Sequence, residues 1–171
     1  MGCDIHLFIE YRKKESKSGW WSFGAEFHLD RNYAMFGVLA NVRVDVEDGF
    51  KPKGILEEGS MALRTNDALF LTITETGEEE YATTLSQAET WAGWGNKMVF
   101  RKNGDPWKIQ DPDSHSHSWL TLEEYRQATQ IFAKSFPKLT LNEDYLAVLA
   151  AMEKLEDDGK NEVRVVFWFD N

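Results

Sequence analysis

The sequence predicts an α+β fold: a single domain, residues 1–171, with a mainly antiparallel sheet that holds the first and last strands and is covered by about three helices. Three observations predict it. Both ends of the chain alternate apolar and polar residues at the two-residue period of a strand. Capped segments with helical spacing lie between them. A chain of 171 residues with 42% hydrophobic content is the size of one core, able to bury roughly 70% of its unfolded surface.

Residues 3 to 11 form the first expected strand, with Cys3, Ile5, Leu7 and Ile9 on one face and Asp4, His6, Phe8 and Glu10 on the other. A polar turn from Lys13 to Gly19 leads to a second strand, Trp20 to His28, completing a hairpin. Asp30 is the expected N-cap of a helix whose Tyr33, Phe36, Leu39 and Ala40 repeat through about Val42, with Arg31 in its first turn. Asp45 to Gly59 reads as a surface loop.

Ala68 to Thr74 reads as a strand and Gly77 to Glu80 as a turn; Leu85 to Trp91 reads as a short helix followed by a break at Gly93, Trp94 and Gly95. Met98 to Arg101 reads as a strand running into a turn at Asn103, Gly104, Asp105 and Pro106. The best-defined helix follows His115, Ser116, His117, Ser118 and Trp119. Thr121 and Glu124 form a capping-box pattern, Leu120 and Tyr125 a hydrophobic staple, and Leu122, Tyr125, Thr129, Phe132 and Phe136 a stripe that Pro137 ends. Asn142 or Thr140 caps a last helix with Tyr145, Leu149 and Met152 on one face, ended by Gly159. Glu162 to Phe169, dense in β-branched and aromatic residues, reads as a central strand. Val163, Val165, Phe167 and Phe169 share one face, and Arg164, Val166, Trp168 and Asp170 the other.

Charge and composition narrow the function. The formal net charge of −10, spread along the chain without a basic block, disfavours duplex nucleic acid and anionic membranes as partners. No run of 18 apolar residues is present, and the opening MGCDIHLFIEYRKK puts its basic residues after its apolar stretch, the reverse of a secretory leader; a cytoplasmic protein is expected. Myristoylation is disfavoured by His6, where its pattern wants Ser or Thr. With one cysteine, Cys3, no intramolecular disulfide or Cys-rich zinc site can form. Seven tryptophans are many for so polar a chain, and those in turns suit either loop plugging or the stacking of a flat ligand.

MGCDIH with Glu10, the run Arg31, Asn32, Tyr33 with Phe36 and Val42-Arg43, Gly54-Ile55, HSHSWLTLEE and the closing VRVVFWFDN span nearly the whole chain. On these pieces the chain resembles a family of small phage- and prophage-encoded proteins of uncharacterised activity. The resemblance implies a viral or mobile-element setting, hence the cytoplasm of an infected or lysogenic bacterial host, and implies no mechanism. Where the family often has proline after its Gly-Leu, this chain has Gly54, Ile55 and Leu56, so that loop is expected to differ.

Several chemistries can be built from the polar residues. In an extended segment, residues two apart project to one side, so Asp4 with His6 and His115 with His117 can clamp one divalent metal ion, as in metal-dependent hydrolases and phosphodiesterases. A metal-free phosphodiesterase with two histidines is less well matched, because the two H-S copies overlap and His6 lacks its hydroxyl partner. A Ser116 nucleophile is weaker still, since strand neighbours point oppositely. A binding reading uses Arg31, Arg43 and Arg164 as phosphate partners, His6, His115, Ser116 and His117 as further donors, and Trp119 or Trp168 to stack a base. Its structural counterpart is Arg164 facing Glu10 as a cross-strand ion pair.

The expected geometry runs the HSHSW segment across the polar face of the sheet, placing His6 within about 12 Å of His117. The function expected first is a phage accessory protein that binds a small phosphorylated or nucleotide-like ligand and sequesters a host defence signal. The alternatives are the metal-dependent hydrolase on Asp4, His6, His115 and His117, and an acidic inhibitor that binds a host protein.

Overall fold

The two ends of the chain pair to form the centre of the main sheet. The computed structural model describes residues 2–15, 19–56, 60–62, 70–93 and 99–171. In it β1 (Asp4–Lys13) runs antiparallel to β9 (Asn161–Asp170), from Asp4 opposite Asp170 to Lys13 opposite Asn161. The chain divides into two compact units, Met1–Ala62 with His115–Asn171, and Leu63–Ser114.

In the first unit β9 is central, with β8 (His115–Thr121) on one side and β1 on the other. Two short strands, β2 (Trp21–Ser22) and β3 (Phe27–His28), both pair antiparallel with the far edge of β1. The expected single second strand is therefore broken. Five steps from Ser22 to Phe27 lie opposite only three from Glu10 to Leu7, and Gly24 supplies a φ of +74° within the excess.

One face of this sheet carries the core. Cys3, Ile5, Leu7 and Ile9 meet Val163, Val165, Phe167 and Phe169, as the alternation requires, and three helices cover them. Helix α1 (Tyr33–Ala40) is buried at every residue after Tyr33, so it lies inside the core instead of showing an amphipathic stripe. Its N-cap is Asn32, whose Oδ1 accepts from the Met35 N–H at 3.0 Å, and not Asp30. The Asp30 main chain is engaged elsewhere: its N–H donates to Asp144 and its carbonyl accepts from the Tyr145 hydroxyl at 2.9 Å. Arg31 thus precedes the helix. A Cβ at Gly37 would lie 2.5 Å from the Val44 carbonyl oxygen, so glycine lets the following chain pack on α1.

Helix α3 (Leu122–Ser135) begins with the predicted capping box, Thr121 Oγ1 accepting from the Glu124 N–H at 3.2 Å and Glu124 Oε2 from the Thr121 N–H at 2.8 Å. It buries Leu122, Tyr125, Ala128 and Phe132. Helix α4 (Glu143–Glu156) follows Asn142, whose side chain accepts from Asn32 in place of capping its own helix, and buries Tyr145, Val148 and Met152. The α+β class is as expected: a mainly antiparallel sheet containing the first and last strands, with, among the described residues, α1, α3 and α4 packed on it.

Among its described residues the second unit forms a four-stranded sheet in the order β5 (Ala82–Thr84), β4 (Phe70–Thr74), β7 (Asp105–Gln110), β6 (Val99–Lys102), with α2 (Leu85–Gly93) following β5. In this sheet β4 and β5 run parallel, while β4 with β7 and β6 with β7 run antiparallel. Asn103 and Gly104, with φ of +55° and +94°, form the β6–β7 turn alone, since Lys102 already pairs with Asp105. Asp105 and Pro106, expected in the turn, open β7 instead. The expectations at Gly59, Ala68, Leu69, Trp94, Gly95 and Met98, and in the turn at residues 16–18, fall outside the described residues.

Candidate functional site

The polar face of the first sheet has the expected neighbours but not the expected chemistry. Across β1, β9 and β8, His6 stacks on Trp168 at 5.5 Å and 14°, and His117 stacks on the same indole at 6.2 Å and 17°. His6 and His117 therefore flank one ring, and their separation cannot exceed those two distances together. Phe8 also stacks on Trp168, at 5.5 Å. The row runs inward from the half-buried His6: Trp168 and His117 are 3% and 6% exposed.

HSHSW is not a segment crossing that face. It is the strand β8, hydrogen-bonded to β9. Between His115, opposite Phe169, and Ser118, opposite Phe167, β8 holds one extra residue, and Ser116 takes a φ of +51°. That bulge inverts the alternation. His115 stacks on Phe169 at 6.0 Å while His117 stacks on Trp168, two β9 residues on opposite faces. The H-x-H clamp expected from simple alternation is not formed.

The remaining metal candidates are engaged as well. Both oxygens of Asp4 accept from the Arg31 guanidinium. His6 Nδ1 is 2.7 Å from Glu26 and Nε2 is 3.0 Å from Asp170, so each ring nitrogen faces a different carboxylate. Among the described residues no group of three His, Cys, Asp or Glu side chains converges as a metal site. Asp4, His6, His115 and His117 are thus not gathered at one point.

The three arginines proposed as phosphate partners also part company. Arg31 belongs to Asp4, and Arg43 reaches the Gly2 carbonyl at 3.1 Å and Asn171 Oδ1 at 2.6 Å. Arg164 makes the cross-strand ion pair: its Nε and Nη2 lie 2.8 and 2.7 Å from Glu10 Oε2. Glu10 Oε1 accepts from Ser60 Oγ at 2.7 Å and the Ala62 N–H at 2.9 Å, and Glu10 is fully buried.

Two residues of the predicted set, Trp119 and Arg164, do meet, in a cleft of about 640 Å³ at the end of the sheet where β1 finishes and β9 begins. Arg12, Lys14, Trp20, Thr121, Leu122, Glu123, Arg126, Glu156, Asn161, Glu162 and Val163 complete its lining. Trp20 lies over two guanidiniums, with Arg164 Cζ 3.8 Å and Arg12 Cζ 4.7 Å from its ring centroid. Trp119 carries the Lys53 ammonium at 3.8 Å, and Lys53 Nζ is held by Glu124 at 2.7 and 2.8 Å. Two further bonds seat this loop on β8, from the Gly54 N–H to the His117 carbonyl at 2.9 Å and from the Lys53 N–H to Ser118 Oγ at 3.2 Å.

Arg12 and Trp20 were not among the sequence candidates, yet a signal for Arg12 exists. Glu10 and Arg12 repeat the spacing of Glu162 and Arg164, and antiparallel pairing of the two copies opposes each carboxylate to a guanidinium. Burial pushes the Arg164 guanidinium below its ordinary value, a shift that the charge and hydrogen bonds of Glu10 oppose.

Comparison of the chain with protein-family models, curated proteins and solved structures gives no match. Among the described residues no helix is long and apolar enough to cross a membrane.

Proposed function

We propose that the protein binds a small phosphorylated, nucleotide-like ligand in the cleft lined by Trp20 and Trp119. The observation that carries this reading is the joining, in one cavity of about 640 Å³, of two indoles with four cations, Arg12, Lys14, Arg126 and Arg164. Ligand pockets commonly measure roughly 300–1,000 Å³. Indoles offer stacking faces to any nucleobase, and guanidinium forks match phosphate oxygens. Binding of this kind needs no nucleophile or metal. In the viral setting that the resemblance implies, it would serve to sequester a nucleotide signal of host defence.

The test is calorimetric titration with ATP, GTP and cyclic dinucleotides, followed by recovery of the ligand from denatured protein. The expected result is saturable binding, weakened at least about tenfold by Trp20→Ala or Trp119→Ala, in line with loss of a stacking contact, with the ligand recovered intact. Recovered hydrolysis products would make the protein an enzyme. No heat with any nucleotide at millimolar concentration would overturn the reading.

A further inference from the structure

The four cleft cations differ in what each would leave behind on turning to a ligand. Arg164 would abandon Glu10, a fully buried carboxylate, and strand its charge away from water. Arg126 already serves two carboxylates, Glu153 at 3.0 Å and Glu123 at 3.4 Å, so an arriving anion would face the one it did not displace. Lys14 offers a flexible point charge without a planar fork. Arg12 is different. Its ion pair is with Glu162, directly opposite on β9, and both side chains are 41% exposed. Once released, Glu162 can be hydrated where it stands, and exposed pairs of this kind are held only weakly.

We propose that Arg12 is the residue that receives the ligand's phosphate, and that Glu162 is an internal competitor whose carboxylate the phosphate displaces; this rests on the cleft being the ligand site. The Arg12 guanidinium lies against the Trp20 ring face, Cζ 4.7 Å from its centroid, so a phosphate held there brings its attached base within reach of an indole. The exchange also sets the ligand class. A terminal phosphate monoester carries about −1.5 to −2 charge at pH 7 and outbids the single charge of Glu162. A phosphodiester carries one negative charge and gains little, and an uncharged nucleoside has nothing to exchange. The favoured ligand is therefore a nucleotide with a terminal phosphate, in preference to a cyclic phosphodiester.

The test compares wild type with Arg12→Ala, Glu162→Gln and Glu156→Gln by calorimetry, using inorganic triphosphate, ATP and adenosine as probes. Glu156→Gln removes a second cleft carboxylate of equal charge and so reports the general electrostatic effect. The expected result for the two phosphate probes is a gain of about five- to tenfold in Glu162→Gln beyond any gain in Glu156→Gln, and a loss of at least about tenfold in Arg12→Ala. Adenosine should bind weakly and equally to all four. Thermal unfolding is expected to be nearly unchanged in Arg12→Ala, because the pair it removes is half exposed.

If Glu162→Gln gains no more than Glu156→Gln and Arg12→Ala binds as wild type does, the exchange is wrong. In that case retained sensitivity to Trp20→Ala and Trp119→Ala would keep the cleft as the site, and insensitivity to them would remove the cleft as well.

Discussion

His6 is the residue whose neighbours say most about its state. Burial by itself would depress the imidazole, but the hydrogen bond to Asp170 and the charge and hydrogen bond of Glu26 outweigh it and raise the folded value above the ordinary one. A raised value means that the folded state holds the proton more tightly than the unfolded chain. The stability so gained is complete below the ordinary imidazole range, about 6.5, and is lost as pH rises through the higher folded value. Urea unfolding of wild type and His6→Gln should therefore differ most at acidic pH, the gap narrowing toward pH 9, and an NMR titration of the His6 ring should end above that of an unfolded peptide. A gap that widens with pH would contradict the assignment. The alternation that puts Asp4, His6 and Glu10 on one face was legible in the sequence. That Glu26 would reach His6 was not, because Glu26 lies in the irregular stretch between β2 and β3, which strand period does not describe.

The capping box is the local signature that places its element directly. The α3 start follows from Thr121 and Glu124, three residues apart, and needs no tertiary contact to form. Glu124 then serves a second time, gripping Lys53, and although burial opposes it, the hydrogen bonds from Lys53 and Thr121 hold its carboxyl below the usual range. Thr121→Ala is expected to lower the unfolding free energy by about 1 kcal/mol, the usual weight of a side-chain cap, while Thr121→Asp retains most of it; denaturant titration reads both. An unaffected Thr121→Ala would mean that packing of Leu122 and Tyr125 fixes the helix start alone. Strand β8 was the harder element. Its one extra residue at Ser116 parts His115 from His117, and no composition rule marks a polar bulge of this kind. The H-x-H spacing therefore suggested a shared site that the backbone does not build.

At the scale of the molecule, the two strands nearest the chain ends hold the first unit together, flanked by edge strands and covered by α1, α3 and α4. Amide exchange should accordingly be slowest in Ile5 to Ile9 and Val163 to Phe169, and faster by orders of magnitude in β2 and β3, which pair with β1 over only two residues each. Mass-spectrometric hydrogen exchange checks this, and protection of β2 and β3 equal to that of β9 would refute the hierarchy.

The class, both long strands, their inward faces and the capped helix are written in period and capping patterns that act over a few residues, so the chain alone carries them. Register, bulges and partner choice are different in kind. Glu10 and Arg164 are 154 positions apart, and only the packed sheet decides that this pair is buried while Arg12 and Glu162, two positions along the same ladder, stay half exposed. Both arginines line the cleft, and how far each is buried is a property of the assembled face and not of the residues that compose it.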